Sequence, residues 1–263
     1  MIQHNIQFEC SWGQTSAELV NRYNIMSPGT TPRWEDLIVD SSMPVDLTVA
    51  LQKPYLHNDK CLHFRREPDI IESWPPDKRG ENYFDYSTSS KYHVTTWWLT
   101  KTYDELIDLK YTAKKYDVSA ISSLKHKHRC DFINAVSTKD DNIDVYGEIN
   151  GKYVPIELRD NVFLKYNKSI CIENCSFSNY FTEKIVDSIL AWCLPIYWGC
   201  PNINEFLPDG SYRVVDLFDI KTAIDIINEP VTDSEIEAMG EARDLILNKY
   251  NIWPTIHNFL NNE

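Results

Sequence analysis

Short apolar runs alternate with amphipathic stretches through the second half of the chain, and this alternation restricts the fold more than any other feature. Strand-like runs are predicted at residues 118–122, 143–146, 169–173, 194–198 and 212–215. Helical periodicity is predicted at residues 129–136, 156–165, 182–193, 220–228 and 234–250. Strands that alternate with helices form right-handed βαβ units, so the sequence predicts an α/β fold with a mostly parallel sheet.

The first half of the chain is less regular, because prolines divide it into short pieces: Pro44, Pro54, Pro68, Pro75 and Pro76. Short strands are predicted at residues 6–8, 36–40, 45–51 and 61–65, with a helix at residues 16–23. A helix or linker at residues 103–115 is expected to separate two α/β domains, residues 1–112 and residues 113–263.

Composition excludes several classes of protein. The formal net charge of −13 argues against a protein that binds the phosphate backbone of nucleic acid, which requires a basic face. No apolar run approaches the roughly 18 residues that span a bilayer, and no secretory signal is evident. Seven cysteines at irregular spacing indicate reduced thiols. No glycine-rich dinucleotide or P-loop motif occurs. A soluble, cytoplasmic protein is expected.

Polar residues follow the predicted strands at the edge where parallel α/β sheets bind ligands. Arg129 follows the strand at 118–122, and Asn174 follows the strand at 169–173. Lys184 stands in the first turn of the helix at 182–193, where a cation opposes the helix dipole unless an anion compensates it. The pattern therefore predicts a phosphate or pyrophosphate site at this helix terminus. A solvated surface lysine is the alternative interpretation.

Glu67 is a candidate general base, because Pro68 favours extended backbone at the preceding residue and would hold the carboxylate at a loop edge. An ordinary surface glutamate is the alternative. Cysteines 171, 175, 193 and 200 lack the usual zinc spacing and are interpreted as core thiols, so no metal site is predicted. No GxSxG or HExxH motif supports a hydrolase.

Three motifs in the second half resemble the donor-binding signature of glycosyltransferase family 10, the α-1,3/α-1,4-fucosyltransferases. They are KSICIEN at 168–174, NYFTEKI at 179–185 and LPIYWG at 194–199, which compare with the family patterns F-E-N, Y-[VF]-T-E-K and P-[IV]-Y-W-G. Weaker similarity covers Arg129 with the D-V-Y-G run at 144–147, and Glu67 with the F-D-Y run at 84–86.

The resemblance implies a GT-B architecture, in which two Rossmann-like domains face a cleft. Residues 1–112 would form the acceptor side and residues 113–263 the side that binds GDP-fucose. By the resemblance, Arg129 and Lys184 would neutralise the diphosphate, and Glu183 would accept hydrogen bonds from the ribose hydroxyls. Asn174 and Tyr180 would line the donor pocket, and Glu67 would be the general base.

The expected reaction is inverting transfer of fucose from GDP-fucose to a hydroxyl of a glycan acceptor. Two alternatives remain open, namely another GDP-hexose donor, or a binding module for nucleotide sugars or glycans that has lost catalysis. No Asp-x-Asp motif occurs, so no metal cofactor is expected. The chain lacks the membrane stem of the Golgi enzymes, which favours a bacterial or viral origin for a cytoplasmic enzyme.

Overall fold

The computed structural model describes residues 4–39, 44–52, 61–68, 83–84, 94–151, 154–155 and 158–261. Some sequence-based predictions concern residues outside these ranges: the loop prolines Pro54, Pro75 and Pro76, the F-D-Y residues Asp85 and Tyr86, and the start of the helix predicted at 156–165. Within the described residues the strands form two separate, mostly parallel sheets.

The first sheet is built from the N-terminal part of the chain. Its described strands are β1 (His4–Cys10), β2 (Arg33–Trp34), β3 (Leu37–Ile38), β4 (Leu47–Leu51), β5 (Cys61–Phe64) and β6 (Tyr83–Phe84). They lie in the order β2-β3-β1-β4-β5-β6, and only β2 runs antiparallel to its neighbour among these pairs. Of the strand predicted at 36–40, the structure has the two residues of β3, and the Leu37 side chain is fully buried.

The second sheet is entirely parallel over its described strands, which are β7 (Tyr116–Ile121), β8 (Ile143–Tyr146), β9 (Tyr166–Ile172), β10 (Leu194–Trp198) and β11 (Arg213–Val214). Their order is β11-β10-β9-β7-β8. Each predicted strand of this half is present, and β8 and β10 have the predicted bounds. The chain moves from β7 outward to β8 and then returns to β9 on the other side of β7, which creates a topological switch point between β7 and β9.

Helices cover the faces of these sheets: α1 (Ser16–Asn24), α2 (Tyr103–Asp108), α3 (Lys127–Ser137), α4 (Arg159–Phe163), α5 (Glu183–Leu190), α6 (Ile220–Asn228), α7 (Asp233–Leu245) and α8 (Ile252–Asn261). Threonine capping boxes start α1, α2 and α7, since in each the threonine hydroxyl and the glutamate three residues later satisfy backbone N–H groups at the terminus. Local capping chemistry therefore sets where these helices begin.

The end of the chain differs from the sequence-based prediction. The helix predicted at 234–250 ends at Leu245 and continues as a π-helical turn over Ile246–Tyr250. A further helix, α8, was not predicted. Pro254 lies in its first turn, where proline is compatible with a helix. Its Trp253 is fully buried, donates from Nε1 to the Tyr23 carbonyl at 2.9 Å and meets the Phe8 ring edge-on. The last helix thus packs against the first sheet.

Buried side chains from both halves form one continuous cluster that includes Phe8, Tyr23, Leu190, Trp253 and Ile256. A second cluster lies on the other face of the second sheet. The boundary at 112/113 stays a prediction. The seven cysteines are unpaired in the structure, and their reduced state stays a prediction. In the part of the chain that the structure describes, no helix is both long and apolar enough to cross a membrane.

Candidate active site

The candidate site lies at the switch point of the second sheet, where the connections after β7 and β9 diverge. The connection after β7 enters α3 and carries Arg129 in its first turn. The connection after β9 begins with Glu173, whose backbone N–H donates to the Trp198 carbonyl at 2.9 Å, and continues to Asn174. Residues that are separated by more than 40 positions in sequence are thereby brought to one edge of the sheet.

Arg129 is buried, with 6% of its surface exposed. Its Nη2 donates to Asn174 Oδ1 at 2.6 Å, whereas its buried Nε has no hydrogen-bond partner among the described residues. Burial lowers the pKa of Arg129, and the nearby Glu173 and Glu183 carboxylates oppose that effect. Arg129 therefore remains a cation at the cleft and still has donor capacity for a ligand.

Lys184 lies in the first turn of α5 among oxygen atoms. Its Nζ is 3.3 Å from carboxylate oxygens of both Glu173 and Glu183, and it donates to Thr182 Oγ1 at 3.0 Å. Burial alone would lower the pKa of Lys184, but the two carboxylates outweigh it and raise that pKa above its usual value. The positive charge of Lys184 is thus balanced by two carboxylates of the protein itself. Glu173 supplies part of that compensation and is fully buried.

Glu183 follows the helix cap Thr182, whose hydroxyl accepts from the Lys184 backbone N–H at the start of α5. Burial alone would raise the pKa of Glu183, but the charges of Lys184, Arg159 and Arg66 outweigh it and hold that pKa at about 2. Glu183 is consequently an ionised hydrogen-bond acceptor at any physiological pH, as recognition of hydroxyl groups requires.

Glu67 comes from the first sheet and reaches the second. The loop after β5 is held by Gln52, whose Oε1 accepts from the backbone N–H of Glu67 at 3.0 Å. The Glu67 carboxylate accepts from Asn174 Nδ2 at 3.3 Å and from the Tyr180 hydroxyl at 2.9 Å. Burial raises the pKa of Glu67, while the Tyr180 hydrogen bond and the charge of Lys184 oppose the rise. The candidate base is therefore more basic than an ordinary glutamate.

A cavity of about 310 Å³ opens beside these groups. Arg129, Glu183 and Lys184 line it, together with the less expected Trp98 and Arg159. Asn174, Tyr180 and Glu67 form a hydrogen-bonded group next to it, joined through the contact between Arg129 and Asn174. All six residues proposed from the sequence are therefore in one connected region.

Two glycines allow the backbone to approach the site closely. Gly147 has φ +95°, and a Cβ there would lie 2.3 Å from the Ser122 carbonyl oxygen at the end of β7. A Cβ on Gly199 would lie 2.4 Å from Glu173 Cγ. Larger residues at either position would displace the groups that form the cleft.

Trp98 and Arg159 were not predicted from the sequence as site residues. Two guanidinium groups lie near the indole of Trp98, with Arg22 Cζ 4.0 Å and Arg159 Cζ 5.6 Å from the ring centroid. Its backbone N–H donates to Oδ1 of the buried Asp187 at 2.8 Å. This arrangement joins α1 and the segment before α2 to α4 and α5. No sequence motif pointed to Trp98, whereas Arg159, like Lys184, is a cation in a first helical turn.

No group of three or more His, Cys, Asp or Glu side chains that could hold a metal ion occurs among the residues described above.

Comparison with known proteins assigns the second half of the chain. Residues 111–234 match the sequence profile described as glycosyltransferase family 10 (fucosyltransferase), C-terminal part. The family 10 match covers this segment, which is 124 of the 263 residues. The resemblance of the three sequence motifs is thereby confirmed, and the site residues Arg129, Asn174, Tyr180, Glu183 and Lys184 all lie within the family 10 segment.

Two relatives of the chain come from very different organisms. The α-(1,3)-fucosyltransferase of Helicobacter pylori is 39% identical over 69 residues, which cover 26% of this chain and 14% of that protein. The GDP-fucose protein O-fucosyltransferase 3 of Danio rerio is 30% identical over 84 residues, which cover 28% of this chain and 18% of that protein. The chain therefore matches less than a fifth of the length of either relative.

Similarity of fold extends over nearly the whole chain. A crystal structure of an α1,3-fucosyltransferase with GDP-fucose superposes with a TM-score of 0.51 at 18% identity, covering 92% of this chain and 81% of that one. A crystal structure of an α1,3-fucosyltransferase with GDP gives 0.53 at 16% identity, covering 98% and 89%. The family 10 resemblance predicted an α/β, GT-B-like fold of two Rossmann-like halves, and these neighbours confirm it.

Proposed function

We propose that this protein is an inverting glycosyltransferase that transfers fucose from GDP-fucose to a hydroxyl group of a glycan. The observation that carries the proposal is the contact between the two sheets. Glu67, from the first sheet, lies within hydrogen-bond distance of Asn174 and Tyr180 of the family 10 segment. The Glu67 carboxylate is thus joined through Asn174 to Arg129, which lines the cavity together with Lys184.

The proposed reaction is a single displacement. Glu67 removes the proton from the acceptor hydroxyl while the oxygen forms a bond to the anomeric carbon of the donor. The bond between that carbon and the diphosphate breaks, and GDP leaves with the electron pair. The raised pKa of Glu67, which results from burial, makes its carboxylate a stronger base for this step. Attack from the face opposite to the leaving group inverts the anomeric configuration.

Negative charge develops on the diphosphate as it leaves, and the site offers positive groups to stabilise it. Arg129 and Lys184 line the cavity, and the backbone N–H groups at the start of α5 add the positive end of a helix dipole. Fixed donors of this kind each contribute about 2.7–4 kcal/mol in comparable sites. We propose that these groups replace a metal ion as the electrostatic partner of the leaving group.

The remaining residues of the proposed site bind the nucleotide sugar. Ionised Glu183 would accept hydrogen bonds from the ribose hydroxyls, because its carboxylate faces the cavity and its pKa is held at about 2 by Lys184 and Arg159 against the effect of burial. Asn174 and Tyr180, which contact Glu67, would line the donor pocket at the reacting end. A cytoplasmic location is supported by the seven unpaired cysteines.

The first test is thermal stabilisation by GDP, UDP, CDP and GDP-fucose, with and without EDTA. A ligand that binds only the folded state at about 100 times its Kd adds roughly 2.7 kcal/mol to the free energy of unfolding. We expect stabilisation by GDP, a larger effect of GDP-fucose, and no effect of EDTA on either. A response to GDP without further gain from GDP-fucose would favour another GDP-hexose.

Fucosyl transfer is then measured on a panel of glycan acceptors, with hydrolysis of GDP-fucose followed in the absence of an acceptor. Donor binding without transfer or hydrolysis would identify a binding module instead of an enzyme. No stabilisation by any of the nucleotides would overturn the proposal altogether.

A further inference from the structure

Arg129 and Lys184 alone do not give the cavity the net positive charge that a diphosphate requires. Lys184 lies 3.3 Å from each of two carboxylates, those of Glu173 and Glu183. Arg129 contacts the neutral amide of Asn174. Arg129 and Lys184 are balanced by Glu173 and Glu183, and Glu148 also lines the cavity, whereas a nucleoside diphosphate carries at least two negative charges. The site therefore needs a further cation if it is to bind such a group. The charges of Arg66 and Arg159 both act on Glu183, and of these two Arg159 lines the cavity.

Arg159, at the start of α4, lines the same cavity. Its side chain is 17% exposed, and its buried Nε has no hydrogen-bond partner within the described residues. Its contact with Asp187, from Nη2 to Oδ2, measures 3.8 Å, which exceeds a hydrogen-bond distance. The guanidinium consequently retains donors that no protein group in the described structure uses.

Arg213 is an example of a guanidinium whose three nitrogens all donate hydrogen bonds to protein groups. Its Nε and Nη2 donate to the Glu235 carboxylate at 2.7 and 2.9 Å, and its nitrogens also reach the carbonyls of Ile226, Glu229 and Pro230. These contacts hold a turn together. Arg159 has no comparable set of contacts, so a purely structural role leaves its position at the cavity unexplained.

The carboxylate nearest to Arg159 is also a poor counterion. Asp187 is completely buried and accepts the Trp98 backbone N–H on Oδ1. Burial raises the pKa of Asp187 to about 7, against the opposing effect of Arg159 and of the Trp98 N–H. Near neutral pH the carboxyl is therefore protonated in a large part of the molecules, and Arg159 keeps most of its charge for a ligand in the cavity.

We propose that Arg159 is a donor-binding residue whose guanidinium contacts a phosphate oxygen of the nucleoside diphosphate, as a third cation beside Arg129 and Lys184. This inference rests on the proposed function, because it assigns a residue to the same donor site. The Trp98 ring, whose centroid is 5.6 Å from Arg159 Cζ, borders the guanidinium at a cation–π distance. A planar fork in this position suits the bidentate recognition of phosphate oxygens.

The test compares R159Q and R159K with the unmodified protein in calorimetric titrations with GDP and with guanosine. R33Q is the matched control, because Arg33 is exposed and lies on β2 of the first sheet. A charge-assisted hydrogen bond is commonly lost at a cost equivalent to about 10–100-fold in affinity. We expect that loss for GDP with R159Q, about 3–10-fold with R159K, and no change for guanosine or for R33Q.

Each outcome separates this inference from the proposed function. If the unmodified protein binds GDP and R159Q binds it equally well, Arg159 is not a donor-binding residue and the proposed function stands. If R159Q loses guanosine and GDP affinity in equal proportion, Arg159 acts on the shape of the cavity, and the phosphate contact is refuted. If the unmodified protein does not bind GDP, the proposed function fails first. Melting temperatures measured without ligand show whether each variant folds. If R159Q does not fold, R159K takes its place in the test, and an unchanged ratio of GDP to guanosine affinity in R159K refutes the contact.

Discussion

Replacing Asp187 with asparagine should make the protein more stable at neutral and alkaline pH, although it removes a partly paired carboxylate. Burial raises the pKa of Asp187 from an ordinary value of 3.8 to about 7, and the neighbouring carboxylates Glu183 and Asp160 add to the rise. Arg159 and the Trp98 N–H oppose it but do not prevent it. The folded protein therefore holds a proton that the unfolded chain has already released.

The sign of the effect follows from this difference in proton binding. Because the folded-state pKa is the higher one, the contribution of Asp187 to stability is fully present below about pH 4 and is lost as the pH rises through about 7. A pKa difference of about 3, at 1.36 kcal/mol per pKa unit, corresponds to about 4 kcal/mol in the free energy of unfolding. Asparagine keeps an oxygen that can accept the Trp98 N–H but carries no charge, so the variant should lack this loss.

Urea denaturation of D187N and of the unmodified protein between pH 5 and pH 8.5 measures the effect. The stability of the variant relative to the unmodified protein should rise by about 1.4 kcal/mol per pH unit between pH 5 and pH 7, and level off above about pH 8. D225N is the control, because Asp225 is exposed on α6, and its difference should stay within about 0.5 kcal/mol at every pH. A difference for D187N that is constant across this range would refute the reasoning.

Three further predictions concern the site itself. E67Q should lower kcat by about 10²–10⁴-fold in a transfer assay and leave GDP affinity nearly unchanged, because glutamine keeps an acceptor for Tyr180 but cannot take a proton; retained turnover would contradict the assignment of the base. K184A should lose GDP binding by calorimetry, since it removes a cavity-lining cation, and binding at the unmodified affinity would contradict a phosphate role. G147A should lower the free energy of unfolding by more than about 2 kcal/mol in urea denaturation, because its φ of +95° strains alanine and its Cβ would meet the Ser122 carbonyl; an unchanged midpoint would show that the backbone there can move freely.

The second sheet could be predicted from the sequence because its signals are local. An apolar run of five residues or an amphipathic helix is visible within its own window, which is why β8, β10 and α6 have the predicted bounds. The helix α8 carries a local signal that was missed. Ile252, Trp253, Ile256 and Phe259 are buried and recur at helical spacing, although Pro254 stands among them. What the sequence does not show is the distant contact of this helix with the first sheet, through Trp253 and Phe8.

The same distinction separates the site residues that could be predicted from those that could not. Lys184 was a candidate because it is a cation in the first turn of a long amphipathic helix. Arg159 also lies at the start of a helix, since the sequence predicts one at 156–165, but α4 has only five residues and no family motif singled out Arg159. At the cavity it lies near Trp98, which precedes it by about 60 residues and whose ring centroid is 5.6 Å from Arg159 Cζ.

The contact on which catalysis depends in the proposed mechanism joins residues 113 positions apart, from the Tyr180 hydroxyl to the Glu67 carboxylate. The distance between these two side chains depends on the position of the first sheet relative to the second. Two features within the described residues hold that position: the Asp187 contact to the Trp98 backbone and the insertion of Trp253 against Phe8 and Tyr23. Because neither feature touches the reacting groups, substitutions there should change the alignment of Glu67 with the donor, lowering kcat more than the affinity for GDP.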